Sequence, residues 1–354
     1  MRKQKTLSVF IGRMSPFHNG HAAILNEICS YTDDLLVLIG SSYRSRSLKN
    51  PFTYFERAGI IDRYLTNRKF YAFGIRSLED NPYNDNEWIA SVQTTIRQYQ
   101  EENGLLDYQV ELVASDKEDL SSYPHWFPGF KKRILSASVD DSGKTMAATD
   151  IRSEYFGSPY SGISDEIVNS VPQETVDFLQ NFKYDYPEIF DNLTEEYQFI
   201  KEYRKSWDVA PYPVNFVTTD AVVVQSGHIA LIQRRDNPGK DLWALPGGFL
   251  NVNERIVDGC VRELREETGI KVAIPVLKGS IQESFVFDNP MRSDRGRTIT
   301  HGFYFKLADE KELPHIKGCD DAKKAKWIPI SELYGMRDQF FEDHYWIIKK
   351  FLKF

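Results

Sequence analysis

The sequence predicts a protein of the α/β class with two domains. Its 354 residues exceed the size at which one hydrophobic core stops growing, about 250–300 residues. Along the first half, short apolar runs alternate with amphipathic stretches, which is typical of a parallel sheet covered by helices. After Pro213, strand-like runs surround a helix-forming stretch, a pattern that predicts a mixed sheet. We therefore expect two separate cores.

Apolar spacing marks each predicted element of the first half. In chain order, the predicted strands and helices are Leu7–Gly12, Ala22–Tyr31, Leu35–Gly40, Thr53–Leu65, Phe70–Ile75, Glu87–Gln100 and Val110–Ala114. Thr53 and Glu56 have the spacing of a capping box, which favours a helix start there. In the segment Ser170–Glu174, Pro172 stands where the first turn of another helix tolerates proline.

A polar segment flanked by prolines separates the two halves. Three prolines lie within Tyr184–Pro213 around Glu188–Lys205, which has the weak amphipathic spacing of a connecting helix. We therefore place the domains at 1–185 and 207–354, joined by a helical linker at 186–206. The strands predicted beyond the linker are Phe216–Val224, His228–Gln233, Phe285–Phe287 and Gly302–Leu307.

Composition excludes several classes of protein. The net charge of −7 gives no general attraction to nucleic acid or to an anionic membrane. No window approaches the roughly 20 apolar residues that a membrane helix needs. Because Cys29, Cys260 and Cys319 lie too far apart for a disulfide framework or a zinc site, we expect a reducing cytoplasm. The expected partners are small molecules, and assembly into a homo-oligomer is left open.

Three glutamates of the second half share one face of a predicted helix. Glu263, Glu266 and Glu267 stand at positions i, i+3 and i+4. Crowded carboxylates repel one another unless a cation neutralises them. Because Mg²⁺ prefers few carboxylates, several waters and a phosphate, the cluster suits a diphosphate-bound Mg²⁺ that activates water. The alternative is a solvated acidic stripe without a metal.

The residues around this helix resemble the Nudix family. The segment Gly248–Ile270 fits the pattern G-x5-E-x7-R-E-U-x-E-E-x-G-U at every position, where U is a bulky apolar residue. The resemblance covers roughly Asn215–Leu352 and implies an α/β/α sandwich with a mixed sheet. It implies that Mg²⁺, or alternatively Mn²⁺, is bound by Gly247, Glu263, Glu266 and Glu267. It also implies catalytic or orienting roles for Glu254, Arg262 and Glu266, while Gly269 fits a helix C-cap.

An arginine-dense loop follows the predicted strand that ends at Phe287. The loop Asp288–Arg297 is similar to that of ADP-ribose-directed Nudix domains, where an Asp/Arg cluster meets the second phosphate and the terminal ribose. The alternative is an exposed charged hairpin. The resemblance implies hydrolysis of ADP-ribose to AMP and ribose 5-phosphate. The residues expected to contact ADP-ribose are Arg234, Arg235, Phe249, Asp288, Arg292 and Arg297.

A strand, a glycine-containing loop and a helix start follow one another near the N-terminus. The strand Leu7–Ile11 leads through Gly12 into a loop that carries His18 and His21. Such a junction binds phosphate, because unpaired backbone amides and the helix dipole point at the anion. The alternative is that both histidines only make local turn and cap hydrogen bonds.

A second motif supports this phosphate site. Thr149–Arg152, preceded by Ala147 and Ala148, resembles the I-S-x-T-x-x-R motif of nucleotidylyltransferases, which implies a Rossmann-like domain with a parallel sheet. An alanine replaces the usual serine, but we expect Thr149 to cap the helix. As a fork-shaped cation, Arg152 suits phosphate. The resemblance implies catalytic roles for His18, His21 and Arg152. It implies binding of ATP, a substrate, by Gly12, Arg13, His18, His21, Thr149 and Arg152.

Within that superfamily, about residues 5–183 resemble nicotinamide mononucleotide (NMN) adenylyltransferase of the archaeal-like type. In that family the segment holding Trp88 contacts the nicotinamide nucleotide, and a cationic pyridinium over an indole is favourable. The alternative is that Trp88 only packs on the sheet. Phosphopantetheine or another mononucleotide is the rival substrate. The residues expected to bind NMN are Ser42, Arg57, Asn84 and Trp88.

Together the two resemblances imply a bifunctional enzyme of NAD metabolism. Its first half would convert ATP and NMN to NAD and diphosphate, and its second half would hydrolyse ADP-ribose. Two alternatives stay open for the second half: a non-catalytic ADP-ribose sensor, or a hydrolase of another nucleoside diphosphate compound. The complete motif at Gly248–Ile270 favours catalysis.

Overall fold

The computed structural model describes residues 4–115, 123–135, 147–159 and 162–354. The chain divides into two compact units, Met1–Thr194 and Glu195–Phe354. Among the described residues, no helix is both long and apolar enough to cross a membrane.

The first unit contains a five-stranded sheet. Its elements, in chain order, are β1 (Thr6–Gly12), α1 (Asn19–Cys29), β2 (Asp34–Ile39), α2 (Tyr54–Asn67), β3 (Phe73–Ser77), α3 (Asp85–Asn103), β4 (Gln109–Ser115), a 3₁₀ helix (Tyr123–Trp126), β5 (Lys131–Leu135), α4 (Ala148–Gly157), α5 (Asp165–Ser170), α6 (Gln173–Asp185) and the start of α7 (Pro187–Ser206). All neighbouring strands pair in parallel, in the order β3-β2-β1-β4-β5, so the predicted parallel α/β sheet is confirmed. The connection after β1 leads to β2 on one side, whereas the connection after β4 leads to β5 on the other side. A crevice for a ligand therefore opens between the carboxyl ends of β1 and β4.

Strand β5 was not predicted from the sequence. Lys131–Leu135 begins with three basic residues, and its first four residues are exposed. The strand lies at the edge of the sheet beside β4. Charged residues are usual on edge strands, where they discourage pairing with other chains. They also remove the apolar alternation by which a strand is recognised in a sequence.

The two faces of the parallel sheet belong to separate cores. Phe10 and Val37 pack with residues of α1 and α2 on one face. Val9 and Leu36 pack with residues of α3 on the other face. Burial on both faces fixes the central strands, and therefore also the loops that leave their carboxyl ends.

Helix starts confirm one prediction from the sequence and correct two others. The capping box of α2 is present, with Glu56 N donating to Thr53 Oγ1 at 3.3 Å and Thr53 N donating to Glu56 Oε2 at 2.7 Å. Pro172 is the N-cap of α6 rather than a residue of its first turn. The prediction that Thr149 caps α4 is wrong. Ala147 occupies the cap position and offers no side-chain acceptor, while Thr149 is already helical.

The second unit contains a mixed sheet of seven strands. Its elements after α7 are β6 (Asn215–Gln225), β7 (His228–Arg234), β8 (Trp243–Ala244), β9 (Gly247–Phe249), α8 (Ile256–Thr268), α9 (Ile274–Gly279), β10 (Ile281–Phe287), β11 (Arg297–Lys306), β12 (Ala322–Pro329), a 3₁₀ helix (Ile330–Gln339) and α10 (His344–Leu352). The main order is β10-β11-β6-β7-β12, with β8 beside β7 and β9 beside β6. Only β11 and β6 pair in parallel among these named strands, so the predicted mixed sheet is confirmed.

Helices cover both faces of the mixed sheet. Cys260 and Leu264 of α8 pack with Ala221 on one face. On the opposite face, Phe351 of α10 lies over Gly302. Helix α8 ends at Gly269, whose left-handed φ of 61° confirms the predicted C-cap. The predicted sandwich therefore forms, with the glutamate-bearing helix packed firmly on the sheet.

Candidate active sites

His18 and His21 together form the start of helix α1. His18 is the N-cap, and its Nδ1 accepts a hydrogen bond from Gly20 N at 3.1 Å. The Nδ1 of His21 accepts from His18 N at 3.3 Å, and the two rings stack with centroids 3.8 Å apart. Because Nδ1 accepts in each ring, a neutral imidazole carries its proton on Nε2. Each ring therefore keeps an Nε2–H donor for a ligand.

Burial keeps this histidine pair neutral. Together with the nearby charge of Arg152, burial lowers the pKa of His18 to about 4. Burial, with the charges of His18 and Arg13, lowers the pKa of His21 well below its usual value. At neutral pH the pair therefore supplies hydrogen-bond donors, while the positive charge of the site comes from arginine.

Arg152 lies beside the loop between β1 and α1. Its Nη1 donates to Ser15 O at 2.6 Å, and its Nη2 donates to Thr149 Oγ1 at 3.2 Å. On the other side of the loop, Gly12 O accepts from Gly40 N at 3.0 Å. The structure therefore brings the predicted ATP-binding residues together at the carboxyl end of β1. They are Gly12, Arg13, His18, His21, Thr149 and Arg152.

In the second unit, Arg262 connects three carboxylates that the Nudix resemblance predicts as catalytic residues or metal ligands. Its Nη2 lies 2.7 Å from Glu254 Oε1, and its Nη1 lies 2.8 Å from both Glu263 Oε1 and Glu266 Oε2. The hydrogen bond from Arg262 lowers the pKa of Glu254 to about 2. Burial instead raises the pKa of Glu263. The guanidinium thus fixes the acidic face of α8 in one arrangement.

Glu267 lies deeper than the other carboxylates, against the glycine turn before α8. Its Oε2 accepts from Gly247 N at 2.8 Å, and only 5% of the residue is exposed. Burial raises its pKa to about 8. Gly248 packs so closely on Glu263 that a β-carbon there would lie 2.7 Å from the carboxylate.

These residues fit a divalent cation. Burial and the negative charge of Glu263 raise the pKa of Glu267, and a bound cation would stabilise the ionised carboxylate. Carboxylate and carbonyl oxygens are the ligands that Mg²⁺ and Mn²⁺ prefer. Glu263, Glu267 and the Gly247 carbonyl would hold the ion. Glu266 lies farther out, with 46% of its side chain exposed and its carboxylate paired with Arg262.

Two family models match the two units of the chain. A model described as NUDIX domain matches residues 215–351. A model described as cytidylyltransferase-like matches residues 9–117. The first match includes the acidic face of α8, and the second includes the histidine pair of α1.

Two curated relatives are similar to one half of the chain each. An ADP-ribose pyrophosphatase of Methanocaldococcus jannaschii is 31% identical over 159 residues, which are 44% of this chain and 86% of the relative. A nicotinamide-nucleotide adenylyltransferase of Methanococcus aeolicus is 39% identical over 88 residues, which are 24% of this chain. The chain spans about half, 49%, of the length of that adenylyltransferase.

A solved structure from Francisella tularensis matches the whole chain. It is a bifunctional NMN adenylyltransferase/ADP-ribose pyrophosphatase in complex with AMP and a manganese ion. It is 32% identical, covers 99% of both chains and has a TM-score of 0.88. The chain belongs to this bifunctional family. Met1–Thr194 is therefore called the transferase unit, and Glu195–Phe354 the hydrolase unit.

Two residues expected to bind NMN in the transferase unit are used by the backbone instead. The hydroxyl of Ser42 donates to Ile39 O at 2.5 Å and accepts from Leu78 N at 3.3 Å. The Arg57 side chain is fully buried, and its Nε, Nη1 and Nη2 all donate to backbone carbonyls. Neither side chain is placed to contact a ligand directly, because polar bonds to the backbone occupy both.

The other two expected NMN ligands lie at the start of α3. Asn84 is the N-cap and accepts from Glu87 N at 3.3 Å. Trp88 is partly buried and packs edge-on against Trp126, with ring centroids 5.9 Å apart, and against Phe127, at 6.2 Å. Part of the indole remains accessible, so its role in binding stays a prediction. No local pattern in the sequence indicates that Trp126 is its neighbour.

In the hydrolase unit, one arginine in the loop between β10 and β11 and another at the start of β11 stabilise the loop itself. Arg292 makes a bidentate ion pair with Asp343, at 3.0 and 2.9 Å, and only 2% of its side chain is exposed. Arg297 donates to the backbone carbonyl of Asp288. The expectation that Arg292 contacts ADP-ribose therefore conflicts with its burial. The carboxylate partner lies 51 positions away in the sequence, which no local spacing reveals.

Arg295, in the same loop as Arg292, lies beside two aromatic rings. Its guanidinium lies 5.3 Å from the centre of the Phe249 ring and 5.8 Å from that of Phe341. The Arg234 guanidinium lies 4.3 Å from the centre of the Phe341 ring. Burial and the charge of Arg295 lower the pKa of Arg234, and the charge of Glu267 opposes this shift. Of the remaining predicted contacts, Phe249 has 39% exposure, while Arg235 and Asp288 are exposed.

A buried polar cluster near the glycine turn was not predicted. Nδ1 of His344 accepts from Leu245 N at 2.9 Å, two residues before Gly247. Glu342, Asp343 and His344 offer potential ligand atoms within 4.8 Å of one another. Asp343 is already paired with Arg292, so the Arg292 guanidinium balances the negative charge of this cluster.

Proposed function

We propose that the transferase unit converts ATP and NMN to NAD and diphosphate, and that the hydrolase unit cleaves ADP-ribose to AMP and ribose 5-phosphate. The observation that carries both assignments is the whole-chain similarity to the Francisella tularensis enzyme, 32% identical over 99% of each chain. The histidine pair and the acidic face of α8 supply suitable chemistry in the matching units.

In the transferase unit, the proposed reaction needs no nucleophile from the protein. A phosphate oxygen of NMN attacks the α-phosphorus of ATP in line, a P–O bond forms, and the bond to diphosphate breaks. Negative charge spreads over the phosphate oxygens. The Nε2–H groups of His18 and His21 donate to these oxygens, and Arg152 contributes a fixed positive charge. The work of the chain is therefore alignment and charge neutralisation.

In the hydrolase unit, we assign Mg²⁺ as the ion, with Mn²⁺ as the alternative. When bound, such an ion polarises phosphorus and makes water more acidic. Glu263, Glu267 and the Gly247 carbonyl would hold it. Arg262 keeps the carboxylates of Glu254 and Glu263 in place through its hydrogen bonds.

We also propose that arginines and aromatic rings of the hydrolase unit recognise ADP-ribose. Arg295 and Arg234 lie among Phe249, Phe341 and the buried Glu267, where two neighbouring cations suit an anionic, partly aromatic ligand. The complete set of carboxylates supports catalysis over sensing alone. Three free cysteines and nucleotide substrates are consistent with the cytoplasm as the place of action.

The test is to replace Glu267 by glutamine in the full chain. We expect loss of Mg²⁺-dependent AMP release from ADP-ribose, because an amide cannot supply the buried charge. NAD synthesis from ATP and NMN should remain, since the two sites lie in different units. Glu332→Gln is the matched control, because Glu332 is an exposed glutamate outside the proposed site. Equal loss of both activities in Glu267→Gln would refute the two-site assignment.

Incubation of the wild-type chain with a panel of nucleoside diphosphate compounds tests the substrate. ADP-ribose should be cleaved with the highest kcat/KM. A higher value for another compound would replace ADP-ribose as the substrate. Tight binding of ADP-ribose without cleavage, in the presence of Mg²⁺ or Mn²⁺, would support the sensor.

A further inference from the structure

Arg57 is a fully buried cation whose guanidinium donates hydrogen bonds to backbone carbonyl groups. It lies in the first turn of α2 and has no exposed surface. Its Nη1 donates to Arg13 O at 2.5 Å and to Gly40 O at 2.9 Å. Its Nη2 donates to Ser41 O at 3.1 Å, and its Nε donates to Thr53 O at 3.2 Å. One guanidinium therefore joins the turn after β1, the turn after β2 and the start of α2.

Both turns contain a residue in a strained backbone conformation. Met14 follows Arg13 and has a φ of 51°, and Ser41 has a φ of 51° as well. A residue other than glycine is strained in this left-handed region and persists there only where its surroundings determine it. Asp80 holds the other side of Ser41, accepting from its N at 3.1 Å and from its Oγ at 2.8 Å.

The turn after β1 is also the segment from which the phosphate-binding groups project. Arg13 lies between Gly12 and the strained Met14, and its charge adds to the burial that lowers the pKa of His21. Gly40, held by the same guanidinium, donates from its N to Gly12 O at 3.0 Å. A displacement of the Arg13 carbonyl would therefore be transmitted to the segment that leads to His18.

We propose that Arg57 is a positioning residue of the transferase unit: it holds the turns after β1 and β2 in the strained geometry that aligns the phosphate-binding groups. This inference rests on the proposed adenylyl transfer. Burying a cation is unfavourable, and the four hydrogen bonds of Arg57 offset that cost only while all of them are made. A lysine places its three donors on one nitrogen, so it cannot span both turns as a planar guanidinium does.

The test compares Arg57→Lys with Arg68→Lys in the full chain. Arg68 caps the other end of α2, where it donates to Tyr64 O at 3.1 Å, and it is the matched control. NAD synthesis is measured at varied ATP and at varied NMN, well below the unfolding midpoint of each variant. Hydrolysis of ADP-ribose by the same sample serves as an internal standard of active chain.

For Arg57→Lys we expect kcat of NAD synthesis to fall at least about ten-fold, because misalignment of roughly 1 Å costs up to about 100-fold. Hydrolysis of ADP-ribose, and both activities of Arg68→Lys, should stay within about two-fold of wild type, since neither depends on this alignment. If Arg57→Lys unfolds at the assay temperature, trimethylamine oxide, which favours burial, is added to restore the folded state.

A wild-type kcat in folded Arg57→Lys, with only a lower unfolding midpoint, would overturn the proposal and leave Arg57 a purely stabilising role. Restoration of full kcat by the osmolyte would overturn it in the same way. A failure of the wild-type chain to make NAD would instead refute the proposed function. The two failures are therefore distinguishable.

Discussion

Replacing Gly248 by alanine tests the proposed metal site at its closest contact. A β-carbon at this position would lie 2.7 Å from Cδ and Oε1 of Glu263 and 2.9 Å from its Oε2. Ordinary contacts of a β-carbon begin near 3.4 Å, so the carboxylate or the glycine turn must move by about 0.7 Å. Arg262 opposes such a movement, because its Nη1 holds Glu263 Oε1 at 2.8 Å.

The expected loss follows from that displacement. Since a misplacement of about 1 Å costs on the order of 100-fold in rate, we expect kcat of ADP-ribose hydrolysis to fall about 10- to 100-fold, or about 1.4 to 2.7 kcal/mol. More Mg²⁺ should also be needed for half-maximal rate, because Glu263 is a proposed ligand. NAD synthesis by the same sample should not change.

The assay is release of AMP from ADP-ribose at several Mg²⁺ concentrations. Gly279→Ala is the matched control, since no atom would lie within 4 Å of its new β-carbon. A folded Gly248→Ala variant with the kcat and Mg²⁺ dependence of wild type would refute the placement of the ion against Glu263.

Three further predictions concern acid stability, the arginine loop and NMN recognition. Because the pKa of His18 falls from 6.5 to about 4 on folding, acid protonates the unfolded chain first. The contribution of His18 to the free energy of unfolding should therefore be constant above pH 6.5 and should decrease as the pH falls from 6.5 to 4. Denaturant titrations at several pH values should show a smaller decrease for His18→Gln. Arg292→Ala should cost about 3–5 kcal/mol of unfolding free energy by leaving Asp343 buried without its partner. Arg295→Ala should instead raise KM for ADP-ribose about ten-fold with a smaller loss of stability, because its ion pair with Glu342 is longer, at 3.8 Å; the reverse pattern would contradict both assignments. Trp88→Ala should raise KM for NMN more than KM for ATP in initial-rate assays, whereas an equal rise would indicate a packing role only.

The sequence was sufficient to predict what depends on local spacing. The order of strands and helices from β1 to β4, the capping box at Thr53 and the C-cap at Gly269 are all local patterns, and the structure confirms them. The carboxylates of α8 lie together because a helix brings residues three and four apart onto one face.

The sequence could not show which polar side chains serve the backbone and which remain available. Arg57 and Arg292 look like ligand-binding arginines, yet burial among carbonyls in one case and against Asp343 in the other removes them from the surface. Arg292, Arg295 and Arg297 lie close together in the sequence, and the rings of Phe249 and Phe341 beside Arg295 distinguish it in the structure. Such choices depend on contacts between residues far apart in the chain.

The double use of the histidine rings in α1 also restricts how this site can change during evolution. One nitrogen of each ring starts the helix, while the opposite nitrogen is left for the proposed nucleotide ligand. Serine or aspartate at position 18 would still begin the helix, but neither would retain the distal donor. A lineage that abandoned the transfer reaction could therefore lose the histidines without losing the fold. The histidines, rather than the preserved helix, would record whether the activity had been kept.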